Sequence, residues 1–243
     1  YLINHINESI AMNSPLLSTQ LSKFMTYLAA EAANGEESLP SLSTLSQDLE
    51  MSVSALREEL QVARAMGLVE VKPRTGIKCL PYDFTPSVSK SLAYAVSVDK
   101  QMFKQFSDLR NHIEASYWYQ AVSSLNPEDI QALQRIIKSA FKKMHADPIQ
   151  IPHTEHRQLH LNIFKRLDNA FVQGILESYW DIYEAVGLSV YEDREYLERV
   201  WTYHQQMVDA ISAHDYLSGY QALVAHMDLL FQREQQGLKT RFE

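Results

Sequence analysis

The chain has 243 residues, 46% of them apolar, with 22 Lys and Arg against 30 Asp and Glu for a net charge of −8. That length admits one large domain or two ordinary ones, and that composition excludes intrinsic disorder. No apolar run approaches the roughly 20 residues that span a bilayer. The opening Tyr1-Leu2-Ile3-Asn4-His5 lacks the basic-then-apolar pattern of a secretory signal, and the single Cys79 can form no internal disulfide. Together these point to a cytoplasmic protein with no membrane partner.

In chain order, Leu17 to Ala33 predicts a helix with Leu17, Leu21, Phe24, Met25 and Leu28 on one face, ended by Asn34-Gly35. Ser41 opens a short helix that points Leu42, Leu45 and Leu49 inward, and Ser52 or Ser54 caps a third helix running to about Met66. Gly67 stops it. Leu68 to Lys72 then alternates as a half-buried strand does, Pro73-Arg74-Thr75-Gly76 is turn chemistry, and Ile77 to Leu80 returns as the paired strand. Helix, short helix, helix and hairpin is the order of a winged helix-turn-helix over residues 1–80. Residues 81–90 hold Pro81 and Pro86 without helical period and read as a linker. Residues 91–243 read as an all-helical bundle, with segments near 91–124, 127–146, 153–167, 170–188, 192–214 and 216–239. Asn126-Pro127-Glu128-Asp129 is a strong helix start, and Asp215 is a cap at a helix junction. The expected fold class is mainly α.

Four histidines of the helical part invite a chemical reading. His156 and His160 are four residues apart and share a helix face. His204 and His226 each lie eleven residues from Asp215, so an antiparallel helix pair sets both roughly 16 Å from the turn and level with each other. Neutral imidazoles that converge in this way suit zinc, nickel, copper or iron(II); a histidine on a helix is otherwise a surface or hydrogen-bonded residue.

The stretch Leu39 to Leu49, followed by Met51 to Leu60 and by Ala65-Met66-Gly67-Leu68-Val69 up to Gly76, resembles the GntR family signature. The resemblance implies that the N-terminal end of the third helix enters the major groove of an operator duplex, presenting Ser52, Val53, Ser54 and Arg57, while Lys72, Arg74 and Lys78 on the wing meet the backbone or minor groove. FadR-like members place arginines where this chain has Val53 and often where it has Ser43. Val53 can touch a thymine methyl but cannot make the bidentate guanine contact, so the operator sequence does not carry over.

The helical part is similar to the FCD sensor domain of FadR-like regulators. The family spacing is an Asp-x-x-x-His pair, a histidine some forty residues on and another 22 further. Here these positions are His156, His160, His204 and His226, with Arg110, Glu114 and Asn169 at further family positions. The departure is His156 in place of Asp. It makes the site softer and less negative, favouring zinc or nickel (or copper) over manganese, unless His156 points away and three ligands remain. The resemblance implies a small carboxylate effector, with Arg110 and Asn169 as binding residues; the alternative for Arg110 is a structural salt bridge. It also implies a homodimer, because one winged helix makes too few contacts for operator selectivity.

Two rival readings belong to other classes. His214-Asp215 superficially resembles the dipeptide of HD-type metal-dependent hydrolases, but its junction position makes Asp215 a cap and no partner histidines are level with it. No other hydrolase or phosphate-loop motif occurs. The second rival is a regulator homologue that has lost DNA binding: residues 1–80 hold six basic residues against nine acidic ones, although the 57–78 stretch has five against three.

Overall fold

The computed structural model describes residues 20–72, 76–183 and 194–239. They fall into two compact units, 1–87 and 88–243.

The first unit runs α1 (Lys23–Ala33), β1 (Ser38–Leu39), α2 (Leu42–Asp48), α3 (Val53–Ala65), β2 (Val69–Lys72) and β3 (Gly76–Cys79). Helices α1, α2 and α3 each start on a serine: Ser22, Ser41 and Ser52 accept from the N–H of Met25, Thr44 and Ala55. Ser22 displaces the expected start at Leu17. Leu21 therefore precedes the helix and is 39% exposed instead of facing the core, and residues 17–19 lie outside the described ones. The strands form an antiparallel sheet of order β1-β3-β2. The two-residue β1, which pairs Ser38 with Lys78 and Leu39 with Ile77, has too little period to be read from sequence. Gly67 ends α3 at φ +75, a conformation favoured by glycine. A Cβ there would also stand 2.6 Å from Pro86 Cγ. Phe24, Leu28, Leu45, Leu56, Leu60, Val69 and Ile77 close the small core.

The second unit is entirely helical among its described residues. The stretch expected as linker is shorter than 81–90, because α4 begins at Thr85 and runs to Val98. Asp83 Oδ1 accepts the Thr85 N–H at 2.9 Å, and Pro86 falls in the first turn, where a missing N–H is harmless. The single helix expected over 91–124 is two, α4 and α5 (Gln101–Ser123). They break where Asp99 Oδ1 takes the Gln101 N–H at 2.9 Å, a side chain competing with the helical backbone. There follow α6 (Pro127–Met144), α7 (His153–Phe164), α8 (Ala170–Tyr183), α9 (Arg194–Ser212) and α10 (Tyr216–Lys239). The expected extensions of α8 to 188 and of α9 back to 192 lie outside the described residues. Helices α9 and α10 form a hairpin; α5 packs on α7, α8 and α10, and α6 on α7 and α9. The core includes Trp118, Leu133, Leu159, Ile163, Leu176, Trp201, Met207 and Leu223.

The start of α6 is a reciprocal capping box: Asp129 N–H donates to Asn126 Oδ1 at 2.9 Å and Asn126 N–H to Asp129 Oδ2 at 3.1 Å. Lys165 Nζ stands 2.6 Å from Asp129 Oδ1, and Arg166 Nε donates to Oδ2. Arg166, then Lys165 and the Asn126 N–H, hold the Asp129 carboxyl well below the usual carboxylate range against the effect of burial. Asp129→Ala should therefore destabilise the helical unit by about 1–2 kcal/mol, the typical range for a lost cap. The folded-state pKa is depressed, so this stability is fully present above about pH 4 and is lost as pH falls further. All three tryptophans, at 118, 180 and 201, lie in this unit. Denaturant unfolding followed by their fluorescence should thus show the gap from wild type narrowing between pH 7 and pH 3.

Candidate functional site

Three helices bring four histidines to one point. His156 and His160 come from adjacent turns of α7, His204 from α9 and His226 from α10, and one ligand nitrogen of each lies within 4.8 Å of the others. The level placement of His204 and His226 in the α9–α10 hairpin gives ring centroids 4.4 Å apart. All four rings are at most 5% exposed. Burial, foremost, holds each imidazole well below its ordinary pKa; neighbouring histidines and Arg110 add to the shift at His156, His204 and His226, and Arg110 adds to it at His160. The rings are neutral, the state in which imidazole binds metal.

Their hydrogen bonding supports the same fit. His156 Nε2, His204 Nδ1 and both nitrogens of His226 are buried with no partner, an arrangement that costs about 1–3 kcal/mol per group unless something is bound there. His160 Nε2 and His204 Nε2 are 3.2 Å apart. A tetrahedral ion with bonds of roughly 2.0–2.1 Å spaces its ligand atoms about 3.3 Å apart, so this pair is already set and the others need small adjustments. No carboxylate is in the four-residue cluster, and a set of imidazoles alone fits zinc, nickel or copper better than magnesium or manganese. His156 does not point away from the others.

Around the histidines stand Arg110 and Glu114 of α5, both at most 1% exposed. Arg110 Nη2 is 2.8 Å from His160 Nδ1 and 2.9 Å from Glu114 Oε1, and Nη1 donates to Asn111 Oδ1 at 3.0 Å. Glu114 Oε2 lies 3.2 Å from His160 Nδ1. Burial outweighs the pull of Arg110 and pushes Glu114 up to about 7. Of the aromatic residues near these positions, Tyr179 and Trp180 face the Arg110 guanidinium at 4.7 and 5.3 Å. Trp180 also packs its edge on His156 at 4.7 Å. Trp118 is core, and Tyr119 is exposed and stacks on Tyr220. Sequence reasoning passed over Asn111 and Trp201, the latter 4.8 Å from His204; the only signal was their helical offset from Glu114 and His204.

Asn169 does not join them. Its Oδ1 accepts from the N–H of Phe171 and Val172, and its Nδ2 donates to Tyr117 Oη. It caps α8, and among the described residues no hydrogen bond links it to the histidines. Asp215 likewise caps α10, taking the Ser218 N–H at 3.1 Å and the Ser218 hydroxyl at 2.6 Å.

In the first unit Ser52 is the N-cap of α3, Val53 is half-buried at its first turn, and Ser54 and Arg57 are exposed. Lys72 and Lys78 are exposed on neighbouring strands of the wing. Lys72 also pairs with Glu70 at 2.9 Å, with both side chains largely exposed; such a pair is worth at most about 1 kcal/mol. Arg74 lies outside the described residues.

No described helix is long and apolar enough to cross a membrane. The FCD domain family matches residues 105–229, just over half of the 243. The HTH-type transcriptional regulator LutR of Bacillus subtilis (strain 168) is 24% identical over 206 residues, covering 80% of this chain and 91% of that protein. The structure of Streptococcus agalactiae GntR is similar in fold, with a TM-score of 0.58 at 16% identity over 81% of this chain and 89% of that one. These relatives are regulators, not enzymes. The chain belongs to the FCD domain family and is a transcription regulator of the GntR type.

Proposed function

We propose that this chain is a cytoplasmic, homodimeric regulator whose grip on double-stranded operator DNA is set by a small carboxylate effector bound beside a metal ion. The convergence of four buried, neutral and largely unpartnered imidazoles within the FCD region carries the reading. His156, His160, His204 and His226 hold the ion, zinc or nickel, and Arg110 anchors the carboxylate through its planar fork. The ion, when bound, supplies a Lewis-acidic seat for an oxyanion. Asn169 sets the start of α8 and donates to Tyr117.

At the other end, α3 enters the major groove with Ser52, Val53, Ser54 and Arg57, and Lys72, Arg74 and Lys78 flank it on phosphates. The positive stretch is small, so two subunits are needed for useful affinity. Fluorescence anisotropy against DNA from the chain's own promoter region tests this. Arg57→Ala and Arg74→Ala should each weaken binding and flatten its salt dependence by about one unit of slope per subunit, with the fold intact. Light scattering should give a dimer at micromolar concentration. Unchanged binding in both variants would place DNA on another surface. The absence of a guanidinium at Val53 favours one second reading, a metal-binding relative that no longer reads DNA, and failure of the wild-type protein to bind any promoter fragment would select it.

A further inference from the structure

His160 Nδ1 has two neighbours with opposite demands. Arg110 Nη2, 2.8 Å away, is a permanent donor and requires a lone pair on Nδ1. Glu114 Oε2, 3.2 Å away, is an acceptor and requires a proton there. A neutral imidazole carries one proton, so the choice at Nδ1 fixes the other end of the ring. When Arg110 donates to Nδ1, the proton sits on Nε2 and points at His204 Nε2, 3.2 Å off. When Nδ1–H donates to Glu114, Nε2 offers its lone pair to the centre of the four histidines. One Nη2 hydrogen faces the ring at 2.8 Å; Glu114 Oε1, 2.9 Å from the same nitrogen, is an ion-pair contact outside in-line hydrogen-bond geometry.

We infer that Arg110 is a lock on the metal site: its donation to His160 Nδ1 keeps Nε2 protonated and closed to metal, and coordination at Nε2 requires the opposite tautomer, whose Nδ1–H donates a hydrogen bond to Glu114 and which releases the guanidinium to an anion. This rests on the metal reading proposed above. The ring stays neutral throughout. One N–H bond breaks at Nε2, one forms at Nδ1, and solvent relays the proton. Arg110 cannot keep its place in the second state, because two N–H groups would face each other at 2.8 Å. Its other ties are the Asn111 hydrogen bond at Nη1 and the Glu114 ion pair; its Nε is buried without an acceptor, and its cation rests on the Tyr179 and Trp180 faces, which hold a guanidinium without directing its hydrogens. The site then loads in order, metal before anion, and the anion is one whose paired oxygens match a guanidinium fork, a carboxylate foremost.

Nitrogen-15 NMR of the histidine-labelled full-length chain, stripped of metal and then titrated with zinc, reads the tautomer directly. Metal-free wild type should show His160 as Nε2–H, and the zinc-loaded protein as Nδ1–H. Metal-free R110Q should already be Nδ1–H, an outcome that mere removal of a positive charge does not produce. Its zinc affinity should rise roughly tenfold to a hundredfold, the worth of one charge-assisted hydrogen bond. A metal-free wild type already in the Nδ1–H form overturns the lock and needs no variant to be seen; zinc affinity in R110Q no tighter than wild type also overturns it. Absence of zinc binding by both proteins overturns the metal reading itself, and the metal-free spectra distinguish that failure from a failure of the lock.

Discussion

His204→Ala should remove metal-dependent stabilisation while leaving the metal-free protein close to wild type. The imidazole is fully buried, its Nδ1 has no partner, and its other nitrogen meets only His160 Nε2. Without metal it contributes packing and one hydrogen bond, offset by an unsatisfied group, so its loss costs about 1 kcal/mol or less net. With metal it is one of four ligands on three helices that separate on unfolding. Groups that merely orient ligands already contribute tenfold to a hundredfold in affinity, so deleting a ligand should weaken binding by at least about a hundredfold. At zinc a hundredfold above the wild-type dissociation constant, wild type gains about 2.7 kcal/mol and the variant under about 0.5. Thermal melts of both proteins with and without zinc, beside elemental analysis of untagged protein purified without chelator, check this. A wild type that carries no metal and melts identically with zinc would leave the histidines structural. Acid supplies a second readout. All four imidazoles are held well below 6.5 in the folded state, so the unfolded chain binds more protons below that pH. Their stability contribution is complete above about pH 6.5 and falls as pH drops through it.

The helical frame was legible because its signals are local. Ser41, Ser52 and Asn126 announce their helices by side-chain chemistry that acts within three residues. Where reading failed, two local signals competed. Pro81 and Pro86 looked like linker, but Pro86 sits where a helix tolerates it, and Asp83 supplied the cap. Asp99 interrupted an apolar period that otherwise runs unbroken from α4 into α5. Leu21 obeyed the helical period and still fell outside, because Ser22 offered a better start. The strand β1 gains its pairing from β3, nearly forty residues away, and no local pattern encodes that.

The site was legible in part for the same reason. Equal spacing of His204 and His226 from the Asp215 turn is a geometric statement about a helical hairpin, and it survives in the 4.4 Å ring separation. The i,i+4 spacing of His156 and His160 fixes a shared face. What joins those two pairs is tertiary packing of α7 against α5 and of α5 against α10, which only the family spacing implied. Asn169 illustrates the converse. Its spacing from His160 suited an effector contact, but its carboxamide stands at a helix start, where two backbone N–H groups claim it.

Glu114→Ala should be the most destabilising single change in the helical unit, by about 3–5 kcal/mol. Arg110 is 1% exposed, its charge cannot be neutralised by losing a proton at any ordinary pH, and Glu114 is its only ion-pair partner among the described residues. Deleting one member of a buried pair leaves the other charge uncompensated, which costs far more than the pair itself contributes. Glu114→Gln should cost less, because the amide oxygen can still face the guanidinium. Removing both charges should restore part of the loss: Arg110→Ala with Glu114→Ala should be more stable than Glu114→Ala alone, leaving a cavity beside Tyr179 and Trp180 but no orphaned cation. Denaturant unfolding of wild type, Glu114→Ala, Arg110→Ala and the double variant, followed by tryptophan fluorescence, gives the cycle. A double variant no more stable than Glu114→Ala would mean that packing, not charge, holds this part of the core. The same variants separate stability from metal binding, since Glu114 is the acceptor for His160 Nδ1 in the coordinating tautomer. Glu114→Ala should weaken zinc binding by about tenfold to a hundredfold, as loss of an orienting carboxylate does. The double variant should lie above it in affinity, because the donor that competes for His160 Nδ1 has gone as well.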